Sequence, residues 1–153
     1  MANTYTQIHI QLIFAVQYRS ALIGKSWKED LYKYIAGIVQ AQKHKLIIIN
    51  GVADHIHLLL GLKPHQSLSD LLQDIKGSSS KWINENKLTN AKFAWQQGYG
   101  AFSYSYSHLS KVINYIKNQE QHHLKQSFTE EYLAFLKSFK VEYDEKYMLK
   151  EPT

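Results

Sequence analysis

The sequence predicts an α+β fold of the ferredoxin-like (RRM-like) type, an antiparallel sheet with helices on one face, followed by C-terminal helices. Residues 6–16 alternate between apolar and polar side chains, as a strand with one buried face does. Two later segments carry apolar residues at helical spacing, and a β-branched run before Asn50-Gly51 predicts a hairpin. The order strand, helix, strand, strand, helix, strand leaves the other face of the sheet open for a site.

The first half of the chain supplies three strands and a helix. The first strand has one apolar side, made by Ile8, Ile10, Leu12, Phe14 and Val16, and one polar side, made by Gln7, His9 and Gln11. Ser26 and Glu29 fit a capping box that opens the first helix. The run 46–49 predicts the second strand, and residues 55–62 predict the third.

The second half supplies the remaining elements. A helix is predicted to start near Ser67, and residues 93–106 predict an extended segment that ends in a strand. Ser107 is predicted to cap a helix whose apolar stripe runs to Leu124. Thr129 is predicted to open a last helix, whose first turn holds Glu130 and Glu131, where the helix dipole favours carboxylates.

Composition and length favour one globular domain over residues 1–153. The 153 residues are 44% hydrophobic, the net charge is +5, and cysteine is absent. A net charge of this size permits nucleic-acid binding without requiring it. No apolar run reaches the ~18 residues that a membrane span needs, and the N-terminus lacks the pattern of a signal peptide. A cytoplasmic location is therefore expected.

His55 and His57 are the first candidate site residues. Alternate residues of a strand share a face, so the two imidazoles lie together while Ile56, Leu58 and Leu60 face the helices. Such a pair can hold one metal ion, although H-x-H pairs also arise by chance. Gln11 and His9 lie on the polar side of the neighbouring strand and can approach the pair.

Tyr115 and Gln119 are the second pair of candidates. Four residues apart, they lie one turn apart on one helix face, beside the apolar stripe. A tyrosine hydroxyl with a pKa near 10 is about 0.1% ionised at pH 7, and reliance on that fraction costs roughly 4 kcal/mol. A cation held by two imidazoles and an amide oxygen can offset several kcal/mol, and the amide oxygen favours Mg²⁺ or Mn²⁺. The alternative for this pair is a boundary tyrosine beside a solvated glutamine. His122 and His123 are expected at the surface or boundary, where His122 can help to bind an anion.

Several segments together resemble the small single-tyrosine HUH transposases of bacterial insertion sequences. They cover roughly residues 5 to 128 in the same order as in that family. The matching segments are Phe14 with Tyr18-Arg19, residues 54–60 (DHIHLLL), residues 75–79 (IKGSS), Trp95 with residues 98–103 (GYGAFS), and residues 115–123 (YIKNQEQHH). The resemblance implies a catalytic core over about 5–128 and a C-terminal extension over 129–153.

The resemblance also implies a chemistry. His55, His57 and Gln119 would bind the divalent ion, and Tyr115 would attack a phosphate of single-stranded DNA to form a 5′-phosphotyrosine and a free 3′-OH. Family members act as homodimers on hairpin ends, so the helix with the tyrosine can reach the histidines of the partner in a composite site. Candidate DNA contacts are Arg19, Lys76, Lys81 and His122.

Two other functions are compatible with this pattern, and a third lacks one group that its chemistry needs. A domesticated HUH nuclease that acts on repeated hairpins would share every residue named above. A non-catalytic binder of single-stranded nucleic acid would use the aromatic residues as stacking platforms. A zinc hydrolase would need a general base, and the sequence offers none near the histidine pair.

Overall fold

The computed structural model describes residues 4–144 and contains the predicted sheet. Its strand order is β2-β3-β1-β4, and every neighbouring pair is antiparallel. The strands are β1 His9–Ala15, β2 Lys45–Val52, β3 His55–Gly61 and β4 Gly100–Tyr104. This is the ferredoxin-like arrangement, and it places β3, with both histidines, between β2 and β1.

Two helices cover one face of the sheet, as the sequence predicts. They are α1 Lys28–Ala41 and α2 Leu68–Glu85. The main core lies between them and the sheet, where Ile56, Leu58 and Leu60 of β3 pack with Leu31, Ile35, Leu71 and Ile75 of the helices. The apolar side of β1 joins the same core through Leu12, Phe14 and Val16.

The other face of the sheet is covered as well, so the expectation that it stays open is wrong. Three further helices lie there: α3 Leu109–Lys117, α4 Gln119–His122 and α5 Phe128–Ser138. Ile13 and Ala15 of β1 pack with Phe128 and Leu136 of α5, and Leu59 of β3 packs with Val112 and Ile116 of α3. These residues alternate with the main-core set, so β1 and β3 bury apolar side chains on both faces.

Two predicted helix starts differ from the structure, because residues other than those predicted accept the first hydrogen bonds of the helix. The backbone N–H groups of Trp27 and Lys28 both bond to the Gly24 carbonyl, so α1 begins at Lys28 and the Ser26–Glu29 capping box does not form. The last helix is capped by Ser127 rather than opened by Thr129, with Glu130 completing a capping box. The Ser67 cap, which accepts a bond from the Asp70 N–H, is confirmed.

The helix expected from Ser107 to Leu124 is broken into shorter pieces. Residues 106–108 form a 3₁₀ turn, α3 begins at Leu109, and Asn118 separates α3 from α4. Leu124 lies beyond α4 and is exposed, so it is not part of an apolar stripe. Within residues 4–144 no helix has the length and apolar character needed to cross a bilayer. Residues 145–153 of the predicted extension 129–153 lie outside the described part of the chain.

Candidate active site

The two histidines of β3 lie side by side on the sheet face that α3, α4 and α5 cover. Both side chains are fully buried, and their ring centroids are 5.2 Å apart. Alternation along the strand produces this placement, since Ile56 between them points into the main core. The sheet thus fixes both rings by backbone pairing on each side of β3.

A polar side chain contacts the Nδ1 atom of each ring. Both Nε2 atoms then point toward one oxygen, Oε1 of Glu131. The Nδ1–H of His55 donates to Oδ1 of Asp54 at 2.7 Å. The Nδ1 of His57 lies 2.9 Å from Nε2 of Gln11, whose Oε1 accepts from the Tyr104 hydroxyl at 2.8 Å. Rotating the Gln11 amide by half a turn would let its oxygen accept Nδ1–H instead, which frees Nε2 of His57 to bind a cation.

The carboxylate of Glu131 lies where the two rings converge. The Oε1 atom is 3.1 Å from Nε2 of His55 and 3.0 Å from Nε2 of His57. A third imidazole, His123, places its Nε2 at 3.1 Å from the same oxygen. Glu131 is 1% exposed, so this carboxylate is buried among three histidines. Two of them lie on β3, and the third follows α4.

Tyr115 and Gln119 reach the other oxygen of that carboxylate. The Tyr115 hydroxyl donates a short hydrogen bond to Oε2 of Glu131, and Nε2 of Gln119 donates to it at 3.1 Å. The Gln119 Oε1 lies 3.2 Å from Nε2 of His55. The break at Asn118 does not separate the pair, so both side chains face the histidines as their four-residue spacing predicts.

The end of α3 is fixed on the sheet, which positions Tyr115. The Asn50 side chain on β2 donates to the carbonyls of Ile116 at 2.9 Å and Lys117 at 3.2 Å. On the outer side of the tyrosine, the His122 ring stacks at a centroid distance of 4.5 Å and an angle of 22°. Tyr115 therefore lies beside the histidines of its own chain, with its ring 6.0 Å from that of His57.

Burial and charge shift the pKa values of these groups in ways that suit a cation site. Burial lowers the pKa of His57 to about 4, which favours the neutral imidazole that metals bind. Burial also lowers the pKa of His55, but hydrogen bonds to Asp54 and Glu131 outweigh it and raise the pKa. Burial raises the pKa of Glu131, but the bonds from His123, His55 and His57 prevail and keep the carboxylate ionised. A divalent cation would take the place of the protons that these groups now share.

The donor set fits a divalent metal. One ligand atom each from His55, His57 and Glu131 lie within 4.8 Å of one another, and all three residues are buried. Gln119 adds an amide oxygen next to His55. Two imidazoles with a carboxylate and an amide oxygen are compatible with Mg²⁺ or Mn²⁺, since oxygen ligands suit these ions.

Sequence reasoning missed Glu131, which was assigned only a role at the helix dipole. A signal was present, since Phe128, Tyr132 and Phe135 mark the buried stripe of α5, and Glu131 falls on that stripe three residues after Phe128. A carboxylate on an apolar stripe predicts a buried partner. His123 is a boundary residue as expected, but it also joins the cluster through Glu131.

The four candidate DNA contacts lie in different environments. His122 lies against Tyr115 at the site. Lys76 donates to the carbonyls of Gln96 and Gly98, and Lys81 is exposed and pairs with Glu85 at 3.8 Å. Both lysines are on α2, which covers the opposite face of the sheet from the histidines. Arg19 is buried in the turn that follows β1.

Comparison with known sequences identifies relatives along most of the chain. The profile of the family described as "Transposase IS200 like" matches residues 4–119. The ISDra2 transposase TnpA of Deinococcus radiodurans is 24% identical over 119 residues, which cover 74% of this chain and 84% of that protein. The transposase for insertion sequence element IS200 of Salmonella typhimurium is 26% identical over 125 residues, covering 78% of this chain and 81% of that protein.

Solved structures share the fold. A crystal structure described as a transposase from Deinococcus radiodurans R1 superposes with a TM-score of 0.62 at 21% identity, covering 78% of this chain and 95% of that one. The structure of a REP-associated tyrosine transposase bound to a REP hairpin gives a TM-score of 0.61 at 13% identity, covering 80% and 73%.

Proposed function

The chain belongs to the IS200-like transposase family, and on that premise we propose that it cuts and rejoins single-stranded DNA through Tyr115. One observation carries the proposal. The Tyr115 hydroxyl, the Nε2 atoms of His55 and His57, and the Gln119 amide all converge on one buried carboxylate. The candidate nucleophile and the candidate cation ligands therefore contact the same side chain, Glu131.

The covalent step exchanges one phosphodiester bond of the DNA for a phosphodiester bond to tyrosine, so the bond energy is kept for rejoining. The phenolic oxygen of Tyr115 bonds to phosphorus, the bond from phosphorus to the 3′ oxygen breaks, and that oxygen takes up a proton to leave a 3′-OH. The product is a 5′-phosphotyrosine ester, which a 3′-OH can attack in reverse to rejoin strands without ATP. The Oε2 atom of Glu131 already accepts the hydrogen bond of the hydroxyl, so it is the nearest acceptor for the phenolic proton.

The nucleophile needs assistance, because burial and the bond to Glu131 raise the pKa of Tyr115 above its ordinary value near 10. His55, His57, Glu131 and Gln119 would hold Mg²⁺ or Mn²⁺, which when bound polarises the scissile phosphate as a Lewis acid. Asp54 and Gln11 orient the two imidazoles from behind.

The substrate follows from the family and from one structural neighbour. We propose single-stranded DNA with hairpin ends, since the neighbour with a TM-score of 0.61 is described as bound to a REP hairpin. Arg19, Lys76, Lys81 and His122 remain candidate contacts, and the net charge of +5 favours a polyanion. We also propose a homodimer and a cytoplasmic location.

A covalent adduct tests the proposal. The protein is incubated with single-stranded element ends and Mg²⁺, and a denaturing gel detects a DNA-linked band. Tyr115→Phe should abolish the band while DNA binding persists, because only the hydroxyl is lost. Tyr106→Phe is the matched control, as Tyr106 is 74% exposed and its ring contacts His9. A persistent adduct with the Tyr115 variant would refute this nucleophile, and no adduct with the native chain would favour a non-catalytic binder.

A further inference from the structure

A cavity of about 700 Å³ opens beside the proposed nucleophile, between β4, α3 and α5. Tyr115 and Glu131 both line it, so a molecule in the cavity lies next to the reacting hydroxyl. The volume falls in the range of roughly 300–1,000 Å³ that is typical of pockets for small ligands. It is large enough to accept one unit of a longer polymer while the rest stays outside.

One wall of the cavity is aromatic. Phe135 of α5 and Phe139, which follows α5 directly, hold their rings nearly parallel, at 6° and a centroid distance of 6.4 Å. Tyr104 of β4 meets Phe139 edge to face at 5.5 Å. Phe139 contacts three aromatic rings and still is 37% exposed, which leaves part of its surface available for stacking.

The rim of the cavity is polar and carries positive charge. Lys111 of α3 and His108 line it and are exposed, and Ser103 of β4 and Ser105, which follows β4, line it as well. An aromatic platform next to a cation is the combination that proteins use for unpaired bases, since the base stacks while the cation meets the phosphate.

We propose that this cavity binds the base of a nucleotide that directly flanks the scissile phosphate, with Phe139 as the stacking platform and Lys111 at the backbone. The inference rests on the proposed function, because the flanking nucleotide is defined by the cut at Tyr115. Stacking here would hold the phosphate within reach of the hydroxyl. The platform comes from the segment that follows residues 4–119, so it is supplied by this chain outside the part that the family profile matches.

Abasic substitution tests the inference. Oligonucleotides that lack one base at a time around the cut are incubated with the native protein and Mg²⁺, and the rate of adduct formation is measured. We expect a rate loss of about tenfold at one of the two positions that flank the scissile phosphate, in line with the contribution of one stacked base. Phe139→Ala should show a similar loss on the intact strand, and adding the abasic site should then cost little more.

The controls separate stacking from folding. Tyr34→Ala removes a ring with the same 37% exposure from the opposite face of the molecule and should leave the rate unchanged. Phe139→Leu keeps an apolar side chain and should fold like the native protein in thermal unfolding, yet it should lose the same base dependence. A normal rate of adduct formation on strands that lack either flanking base would overturn the inference. So would a combined rate loss, for Phe139→Ala on an abasic strand, equal to the product of the two separate losses. Absence of any adduct on intact strands would instead defeat the proposed function, and the inference would fall with it.

Discussion

At the scale of single residues, Glu131 organises the site. Five side chains contact its two carboxylate oxygens, and they come from β3, α3, α4 and the turn after α4. Because a buried carboxylate is costly without partners, these contacts must form together. Glu131 therefore ties the C-terminal helix to the sheet and gives the proposed cation an anionic ligand.

Replacing that charge should weaken cation binding. Glu131→Gln keeps the shape of the side chain but removes the anionic ligand, so the affinity for Mn²⁺ measured by titration calorimetry should fall by about tenfold or more. The matched control is Glu130→Gln, because Glu130 is the exposed neighbour and glutamine also serves in a capping box. Equal Mn²⁺ affinity in the native protein and the Glu131 variant would show that this carboxylate is not a ligand.

The site residues differ in how far the sequence could predict them. His55 and His57 could be placed because strand alternation assigns them one face, and Tyr115 and Gln119 because their spacing assigns them one side of a helix. Glu131 could not be placed in the same way, since it meets His57 across 74 positions of the chain. Periodicity fixes the face of a residue on its own element, but it does not determine which distant element packs there.

At the scale of elements, the sequence predicts the individual strands and helices better than it predicts which helices pack on which face of the sheet. The first strand and the helices α1 and α2 follow from periodicity, and the other strands from a β-branched run, a turn signal and an extended segment. The order of these elements along the chain predicts the ferredoxin-like sheet that the structure has. The packing of α3, α4 and α5 on the second face was not predicted, although Ile13, Ala15 and Leu59 are apolar residues on that side. Apolar residues on both sides of β1 and β3 were the available signal for a covered sheet.

The contact between β2 and α3 should affect both stability and catalysis. Asn50→Ala removes two hydrogen bonds to the end of α3, so the free energy of unfolding in urea should fall by about 1–2 kcal/mol. The rate of adduct formation should also fall, because Tyr115 directly precedes the freed carbonyls. Asn86→Ala is the control, since Asn86 donates to the end of α2, far from the site, at 2.8 Å. Loss of stability in both variants but loss of rate only in the first is the expected pattern.

At the scale of the whole molecule, the question is whether one chain completes its own site. The resemblance to single-tyrosine transposases implies that the tyrosine can serve the histidines of a partner. Within this chain, however, Tyr115 already bonds to Glu131, and Glu131 lies between His55 and His57 of the same chain. If α3 and α4 moved to a partner without α5, the contacts of Tyr115 and Gln119 to this buried carboxylate would have to be exchanged together.

Mixing two inactive variants distinguishes the two arrangements. In Tyr115→Phe the histidines are intact, and in His57→Asn the tyrosine is intact, so a shared site could form only between chains of a mixed dimer. Because Tyr115, His55 and His57 all contact Glu131 within one chain, the mixture should form no more adduct than the two variants form separately on a denaturing gel. A size tag on the His57 variant shows which chain carries the DNA, and a mixture of native protein with Tyr115→Phe controls for subunit exchange. Adduct on the tagged chain would mean that Tyr115 acts with the histidines of its partner and that the single-chain arrangement is not the one that cuts DNA.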